Sequence, residues 1–239
     1  MTSQYSDAFL LNEQKFDIAG VNGDGLFEPA KFGLNPIATC TACWRGFLCL
    51  YTINDDKLIL DQLHINHGKG DTLAPFISGG EYKFQQGPEI NGVVPIYPAR
   101  SAHFDNILKA DFFDNVYVGL NLKIDFSGGI LVARDFIDSL YVHMGFHPAW
   151  KYRTVFELIF DQGDVGEIRD VSKPIEEWRN KNIVQRPFPE KGASEEEIKA
   201  WLVEEINHRK SLTHGLDAGK EEMLAWIEST FRLDYNFRF

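Results

Sequence analysis

Residues 42–53, A-C-W-R-G-F-L-C-L-Y-T-I, and residues 57–65, K-L-I-L-D-Q-L-H-I, are two apolar runs separated by Asn54-Asp55-Asp56. Asn and Asp favour turns because their side chains bond to the nearby backbone. Alternate residues of a strand point to opposite faces, and both faces of the first run are apolar except at Arg45. The pattern predicts an antiparallel hairpin whose first strand is covered on both sides.

Further strand pairs are predicted later in the chain. Residues 117–126 alternate in polarity, a Ser-Gly-Gly turn follows, and residues 130–133 return as a strand. Residues 154–160 and 165–171 flank another turn. Between the two pairs, residues 134–144 have a helical spacing of apolar side chains, although the end of this segment also fits a strand. Three weaker elements are a strand at 82–84, an edge strand at 93–98 and a short helix at 102–112.

The last quarter of the chain is predicted to be helical. Pro174 is favoured at a first helical position and opens a helix that extends to residue 182. Ser194 and Glu197 have the spacing of a capping box, in which each satisfies a backbone N–H of the other. Asp217 caps a final helix that ends near Phe231.

These elements together predict an α+β fold. The strands are joined by turns rather than by crossover helices, so we expect a curved, mostly antiparallel sheet, with a barrel-like form as one option. We expect residues 1–172 to form an antiparallel β-rich unit and residues 173–239 to form helices packed on it, within one structural domain.

Composition and charge exclude several classes of protein. The chain has 239 residues, of which 44% are hydrophobic, so it is long enough and apolar enough to bury a core. It is acidic, with a formal net charge of −11, which disfavours nucleic acid as a partner. The longest run without a charged residue, 32–44, is too short to span a bilayer, and no signal peptide is visible at the amino terminus. We therefore expect no membrane association.

Cysteine usage favours a reducing compartment. The chain has three cysteines, which all lie between residues 40 and 49, and this is unlike a disulfide scaffold. Cys40 and Cys43, followed by His64 and His67, have the residue types of a zinc site, but the histidine spacing is too narrow for a classical finger. Buried free thiols are the alternative. We predict a cytoplasmic protein without a cofactor.

Two segments carry the candidate binding residues. Trp44-Arg45-Gly46 places an arginine in an otherwise apolar strand, where it needs either a paired acid or an anionic ligand. The second segment, His143-Met-Gly-Phe-His147-Pro-Ala-Trp150, combines two imidazoles with aromatic side chains that could line a pocket. It lacks the glutamate of a zinc hydrolase motif. The candidate ligand-binding residues are Trp44, Arg45, His143, His147 and Trp150, and none is assigned as catalytic.

The chain resembles a group of uncharacterised bacterial proteins at three places. These are Thr41-Ala-Cys-Trp-Arg-Gly-Phe, Tyr141-Val-His-Met-Gly-Phe and Val155-Phe-Glu-Leu-x-Phe, and the resemblance covers much of residues 30–170. Members of the group carry a similar Trp-Arg-Gly-aromatic strand. The resemblance implies a bacterial source and implies no particular activity.

Three functions remain open at the level of sequence. The first is a cytosolic accessory protein that binds a protein partner, or a second copy of itself, without catalysis; the absence of standard catalytic motifs and the many aromatic residues favour it. The second is an anion-binding protein with a pocket near Arg45 and His143. The third is a hydrolase that uses His143 and His147 with an acid such as Glu157.

Overall fold

The computed structural model describes residues 2–24, 26–70, 82–99, 108, 112–182, 193–201, 203, 232–233 and 235. Most of this part of the chain is β-structure. The strands are β1 (Ala8–Leu11), β2 (Gln14–Asn22), β3 (Phe47–Asn54), β4 (Lys57–Ile65), β5 (Gly68–Gly70), β6 (Tyr82–Phe84), β7 (Asn115–Lys123), β8 (Gly128–Phe136), β9 (Tyr152–Asp161) and β10 (Asp164–Asp170). The helices are α1 (Ser172–Asn182) and α2, which is described at 195–201 and 203.

Eight of these strands form one curved sheet in the order β10-β9-β8-β2-β1-β3-β4-β7. Neighbouring strands are antiparallel except β1 and β3, which are parallel. Asp164 of β10 also pairs with Lys57 of β4, so the sheet curves until it closes a ring of hydrogen bonds. The α+β class and the curved, mostly antiparallel sheet predicted from the sequence are confirmed.

The alternation in β3 explains why this strand is central. Cys49 and Tyr51 point into the main core cluster enclosed by the ring, together with residues of the other long strands. Leu48 and Leu50 point outward and pack in a second cluster that includes Phe113. All four side chains are buried, so the predicted cover on both faces of the strand is confirmed.

A third cluster covers the outer face of β8 and β9. Val155 of this face packs with Ile175 of α1 and with Tyr235, which is close to the end of the chain. The hydroxyl of Ser172 accepts a hydrogen bond from the backbone N–H of Val155 at 3.0 Å, and this contact fixes the start of α1 against the sheet. The division into residues 1–172 and 173–239 remains a prediction.

Several local predictions were wrong. The first strand of the main hairpin begins at Phe47 rather than Ala42, because residues 41–46 form turns. Residues 134–144 are not helical: β8 continues to Phe136 and a short 3-10 turn, Asp138–Leu140, follows. Residues 93–98 make isolated bridges rather than a strand. The predicted helices at 102–112 and 217–231 lie outside the described residues, apart from Leu108 and Phe112.

Candidate functional site

The Trp44-Arg45-Gly46 segment lies in the turn that leads into β3, so its placement inside a strand was wrong. Gly46 has a φ of +71° and donates its N–H to the carbonyl of Cys43 at 3.2 Å. A β-carbon at this position would lie 2.8 Å from the backbone of Ile37. Glycine is therefore required here for two reasons, the left-handed conformation and the close approach of a second chain segment.

Arg45 is held by a carboxylate. Its two terminal nitrogens donate to the two carboxylate oxygens of Asp7 at 2.8 and 2.9 Å. One of these oxygens also accepts the backbone N–H of Cys49 at 2.9 Å. The Asp7 side chain is 6% exposed and that of Arg45 is 33% exposed. The guanidinium charge is thus matched by a buried acid, and a bidentate pair of this kind is the arrangement that a half-buried arginine needs.

The amino-terminal segment, residues 2–7, links the Arg45 turn to the histidine segment. The Gln4 side chain donates to the carbonyl of Thr41 at 2.8 Å and accepts the backbone N–H of Trp44 at 3.1 Å. The backbone N–H of Gln4 donates to the carbonyl of Gly145 at 2.8 Å. The Arg45 guanidinium lies 5.8 Å from the ring of Phe146. We call this meeting of residues 2–7, 41–46 and 141–147 the junction.

The two candidate histidines have different surroundings at the junction. His143 is exposed, and its Nδ1 lies 2.8 Å from the hydroxyl of Tyr141. His147 is half-buried, with Nε2 at 3.0 Å from the hydroxyl of Ser3 and Nδ1 at 3.3 Å from Nζ of Lys151. Burial, with a smaller effect of the Lys151 charge, lowers the pKa of His147 to about 4. His147 is therefore neutral near pH 7.

The hydrogen bonds of His147 determine whether it can act as a base for Ser3. An ammonium group can only donate, so Nδ1 of His147 accepts from Lys151 and the ring proton lies on Nε2. Nε2 then donates to the Ser3 oxygen. A general base for a serine nucleophile needs the opposite arrangement, with a lone pair on the nitrogen that faces the hydroxyl. The arrangement shown orients Ser3 without activating it.

The other two residues singled out from the sequence, Trp150 and Glu157, have contacts of their own. The ring of Trp150 lies 6.3 Å from that of Trp178 on α1 and 5.3 Å from Nζ of Lys151. Glu157, the acid suggested for a hydrolase, accepts a hydrogen bond from the Tyr235 hydroxyl at 3.0 Å. Its other carboxylate oxygen lies 3.5 Å from a guanidinium nitrogen of Arg169. The two oxygens of Glu157 thus have partners on the outer face of the sheet.

Of the four residues suggested for zinc, Cys40 and Cys43 share the turn before β3, where the Cys43 N–H donates to the Cys40 carbonyl at 3.3 Å, and the two histidines have surroundings of their own. Cys43 donates its thiol to the carbonyl of Phe47 at 3.4 Å, and burial raises its pKa to about 12. His64 is buried on β4 against the ring of Phe113, and Nδ1 of His67 accepts the backbone N–H of Asn35 at 2.9 Å. Within the described residues, which include all four candidates, no group of three or more His, Cys, Asp or Glu side chains could hold a metal ion.

Three aromatic side chains of the junction are exposed. Tyr5 is 49% exposed, Trp44 is 38% exposed and Tyr141 is 47% exposed. Each is fixed by its own contacts: the Tyr5 ring lies 5.7 Å from Phe112, the Trp44 indole N–H donates to the Thr41 carbonyl at 2.9 Å, and Tyr141 meets His143 as described. The junction therefore presents large, oriented aromatic groups to solvent.

The sequence did not single out four of the residues that organise the junction, namely Ser3, Gln4, Asp7 and Lys151. The first three belong to a short polar stretch without periodicity, and their roles depend on contacts with residues roughly 40 and 140 positions away. The expected acid partner of Arg45 was the one available signal, but many carboxylates could have supplied it. Local pattern does not select among partners that are distant in sequence.

Comparisons with other proteins add nothing to this geometry. No family model, no curated protein and no solved structure matches the chain. No helix within the described part of the chain is both long enough and apolar enough to cross a membrane. The side chains of the junction are accordingly the basis on which a function can be inferred.

Proposed function

We propose that the chain is a non-catalytic accessory protein that binds a protein partner through the junction. The contact residues are Tyr5, Trp44 and Tyr141. The observation that carries the proposal is the exposure of these three aromatic side chains on loops that are tied together by residues 2–7. Tryptophan and tyrosine are the side chains that most often supply binding energy at protein interfaces.

Pre-organisation supports this function. The backbone N–H of Tyr5 donates to the carbonyl of Ala42 at 2.8 Å, and Trp44 is hydrogen bonded through both its backbone and its indole. A side chain that is already oriented loses little conformational entropy on binding, which is worth about 0.5–1.5 kcal/mol for each side chain that needs no further ordering. Aromatic groups held in this way are well suited to contact a partner.

The other two functions have less support from the same contacts. An anionic ligand at Arg45 would have to compete with the buried carboxylate of Asp7, which already accepts hydrogen bonds from two N–H groups of the arginine. A hydrolase that uses His143 and His147 needs an acid such as Glu157, whereas both carboxylate oxygens of Glu157 already have partners, the Tyr235 hydroxyl and the Arg169 guanidinium.

We propose a reducing, cytoplasmic setting in a bacterial cell. Cys40, Cys43 and Cys49 are all free thiols, which is the state that cytosolic glutathione and thioredoxin maintain. The Trp-Arg-Gly-Phe resemblance supports the bacterial source.

Site-specific photo-crosslinking tests the proposed function. A photoreactive phenylalanine analogue would replace Trp44 or Tyr141 in the full chain, and replacement of the exposed Ile168 on β10 is the matched control. We expect one adduct of defined mass from positions 44 and 141, none from position 168, and loss of the adduct when Tyr5→Ala is added. Equal adducts from all three positions, or no adduct from the junction positions, would contradict partner binding there.

A further inference from the structure

Cys40 and Cys43 are the first and last residues of one turn. The backbone N–H of Cys43 donates to the carbonyl of Cys40 at 3.3 Å, which closes the four-residue turn 40–43. The Cα atoms of the first and fourth residues of a turn of this kind lie less than about 7 Å apart. A disulfide needs Cα atoms roughly 4.4–6.8 Å apart. The backbone therefore places the two residues at a separation that a disulfide can span.

The side chains of the two cysteines share one environment. Both pack in the cluster on the outer face of β3 that includes Leu48 and Phe113. Cys43 is 3% exposed, whereas Cys40 is partly exposed. Burial raises the pKa of Cys43 to about 12, and the nearby Cys40 adds a smaller rise. Cys43 is thus shielded from solvent, and Cys40 is the thiol of the pair that can meet a dissolved reagent.

The third thiol of the chain is separated from this pair. Cys49 is fully buried and points into the main core cluster inside the ring of strands. Cys40 and Cys43 lie in the cluster on the other side of the sheet. A bond from Cys49 to either of them would require a side chain to pass through the sheet. Of the three cysteines, the two in the turn are therefore placed to form an intramolecular disulfide.

The segment between the two cysteines holds part of the junction in place. The Thr41 carbonyl accepts a hydrogen bond from the Gln4 side chain at 2.8 Å and one from the Trp44 indole at 2.9 Å. The Ala42 carbonyl accepts a hydrogen bond from the backbone N–H of Tyr5 at 2.8 Å. Both carbonyls belong to the ring that a disulfide would close. A bond between the cysteines would thus limit the movement of the groups to which Gln4, Tyr5 and Trp44 are attached.

We propose that Cys40 and Cys43 are a redox pair, which a small-molecule disulfide of the glutathione type oxidises to one reversible disulfide that fixes the segment between them. Cys40, as the thiolate, attacks one sulfur of the oxidant, whose S–S bond breaks to release one thiolate. Cys43 loses its proton to water and attacks the Cys40 sulfur, which releases the second thiolate. Each released thiolate takes up one proton. Two protein thiols are thus oxidised to a disulfide, and one disulfide of the oxidant is reduced to two thiols.

Reversibility follows from the short spacing of the pair. Only two residues separate the cysteines, so the unfolded chain already keeps them close, and the fold adds little to the stability of the bond. We therefore expect cellular thiols to reduce it. Transient disulfides of cytosolic proteins usually serve catalysis or redox sensing, which agrees with the proposed cytoplasmic setting. The redox state determines how firmly Tyr5 and Trp44 are held, and its consequence for partner binding rests on the proposed function.

Thiol trapping with peptide mapping tests the disulfide. The full chain would be treated with oxidised glutathione, its remaining thiols alkylated, and its tryptic peptides weighed. Cleavage after lysine and arginine yields peptide 32–45, which contains both cysteines of the pair, and peptide 46–57, which contains Cys49. We expect peptide 32–45 to lose both alkyl groups and to become lighter by two hydrogen atoms than the unalkylated dithiol. An excess of reduced glutathione should restore both thiols.

Single variants distinguish the two steps of the oxidation. Cys43→Ser should keep glutathione bound to Cys40, and Cys40→Ser should slow modification at position 43 by about tenfold or more, because this thiol is buried. Cys49→Ala is the matched control and should form the disulfide as the wild type does. Circular dichroism establishes that each chain is folded. A wild-type peptide 32–45 that keeps both alkyl groups, a mixed disulfide that persists on Cys40, or a disulfide that forms only with loss of the fold overturns the proposal.

Amide hydrogen exchange, followed by NMR, tests the link to the junction. The N–H groups of Tyr5 and Trp44 should exchange about threefold or more slowly in the oxidised chain, because the turn to which they are attached opens less often. The N–H of Leu58, which donates to the carbonyl of Gly163 at 2.8 Å, is the control and should be unchanged. Equal exchange of Tyr5 in the two redox states overturns the link. These measurements need no partner, so their failure is distinguishable from failure of the proposed function.

Discussion

At the scale of single residues, the Asp7 carboxylate organises the entry to β3. It accepts hydrogen bonds from two N–H groups of Arg45 and from the backbone N–H of Cys49. The backbone carbonyl of Asp7 accepts a hydrogen bond from the N–H of Ile18 at 2.8 Å. One buried acid thus connects the arginine turn, β3 and β2. A carboxylate in this position is stable because its charge is both paired and hydrogen bonded.

Removal of the guanidinium should therefore destabilise the fold. Arg45→Ala leaves the buried Asp7 charge without its partner, and we expect a loss of about 1.5–3 kcal/mol in the free energy of unfolding, less than for a fully buried pair because Arg45 is partly exposed. Urea denaturation measures the change. Arg45→Lys keeps the charge without the bidentate geometry and should cost less. A change below about 0.5 kcal/mol for Arg45→Ala would show that the ion pair contributes little.

His64 gives the protein a defined response to acid. It is fully buried on β4, and burial lowers its pKa to about 4, below the value of about 6.5 for an unfolded chain. The unfolded state therefore binds this proton first, so the stability that the neutral imidazole contributes is complete above pH 6.5 and is lost as the pH falls toward 4.

We expect this loss to reach about 2–3 kcal/mol between pH 7 and pH 4. Urea titrations at a series of pH values should show a shallower pH dependence for His64→Asn than for the wild type. His147 titrates in the same direction in both proteins, so the difference between the two curves reports His64. Parallel curves would mean that His64 takes up its proton equally in the folded and unfolded states.

At the scale of secondary-structure elements, the main hairpin could be predicted because its information is local. Residues 47–54 and 57–65 carry the alternation, the turn and the apolar faces within one stretch of sequence. The capping box at Ser194 is also local and is confirmed by hydrogen bonds in both directions. Where both partners of a contact lie within one short stretch of sequence, the local pattern is enough to predict the structure.

The prediction of other elements from the sequence failed because local signals were absent or ambiguous. The hairpin of β1 and β2 was missed because its turn, Asn12-Glu13, has positive φ values at both residues, and glutamate rarely adopts them. Residues 134–144 have helical spacing, but β8 extends to Phe136 through pairing with β9, and the tertiary pairing overrides the local spacing. The junction could not be predicted, because Gln4 finds its partners across large separations in sequence.

At the same scale, Leu233 and Tyr235 near the carboxyl end of the chain contact the sheet. The backbone N–H of Val21 donates to the carbonyl of Leu233 at 2.6 Å, and Tyr235 packs over two glycines. A β-carbon at Gly20 would lie 2.9 Å from the Tyr235 ring, and one at Gly129 would overlap its hydroxyl. The two glycines form a slot that admits the tyrosine and lets it reach the buried Glu157.

Substitutions in the slot should release this segment. Gly129→Ala should displace Tyr235, cost about 2–3 kcal/mol and increase proteolytic cleavage near the carboxyl terminus. Tyr235→Phe removes only the hydrogen bond to Glu157 and should cost about 1 kcal/mol. Limited proteolysis with mass detection, together with urea denaturation, measures both. Gly166→Ala, where the added carbon meets ordinary contact at 3.5 Å, is the control. Equal behaviour of the two glycine variants would contradict the slot.

At the scale of the whole molecule, the defining event is closure of the curved sheet. Lys57 and Asp164, which join β4 and β10 by a bridge and an ion pair, are 107 residues apart. Bringing such distant residues together carries a loop-closure cost that nearby contacts do not. We infer that the sheet closes after its hairpins have formed, because those hairpins use short turns such as residues 54–57.

This order predicts how a variant at the closure should behave in kinetic experiments. Asp164→Lys places two cations together at an exposed position and should cost about 0.3–1 kcal/mol, the usual size for exposed ion pairs. If closure is late, the contact is absent from the folding transition state, so the variant should unfold faster and refold at the wild-type rate. Stopped-flow folding and unfolding in urea measure both rates, and the double variant Lys57→Glu/Asp164→Lys should restore slow unfolding. Slower refolding with unchanged unfolding would instead mean that the ends of the sheet meet before the transition state, and closure would then be an early step in building the fold.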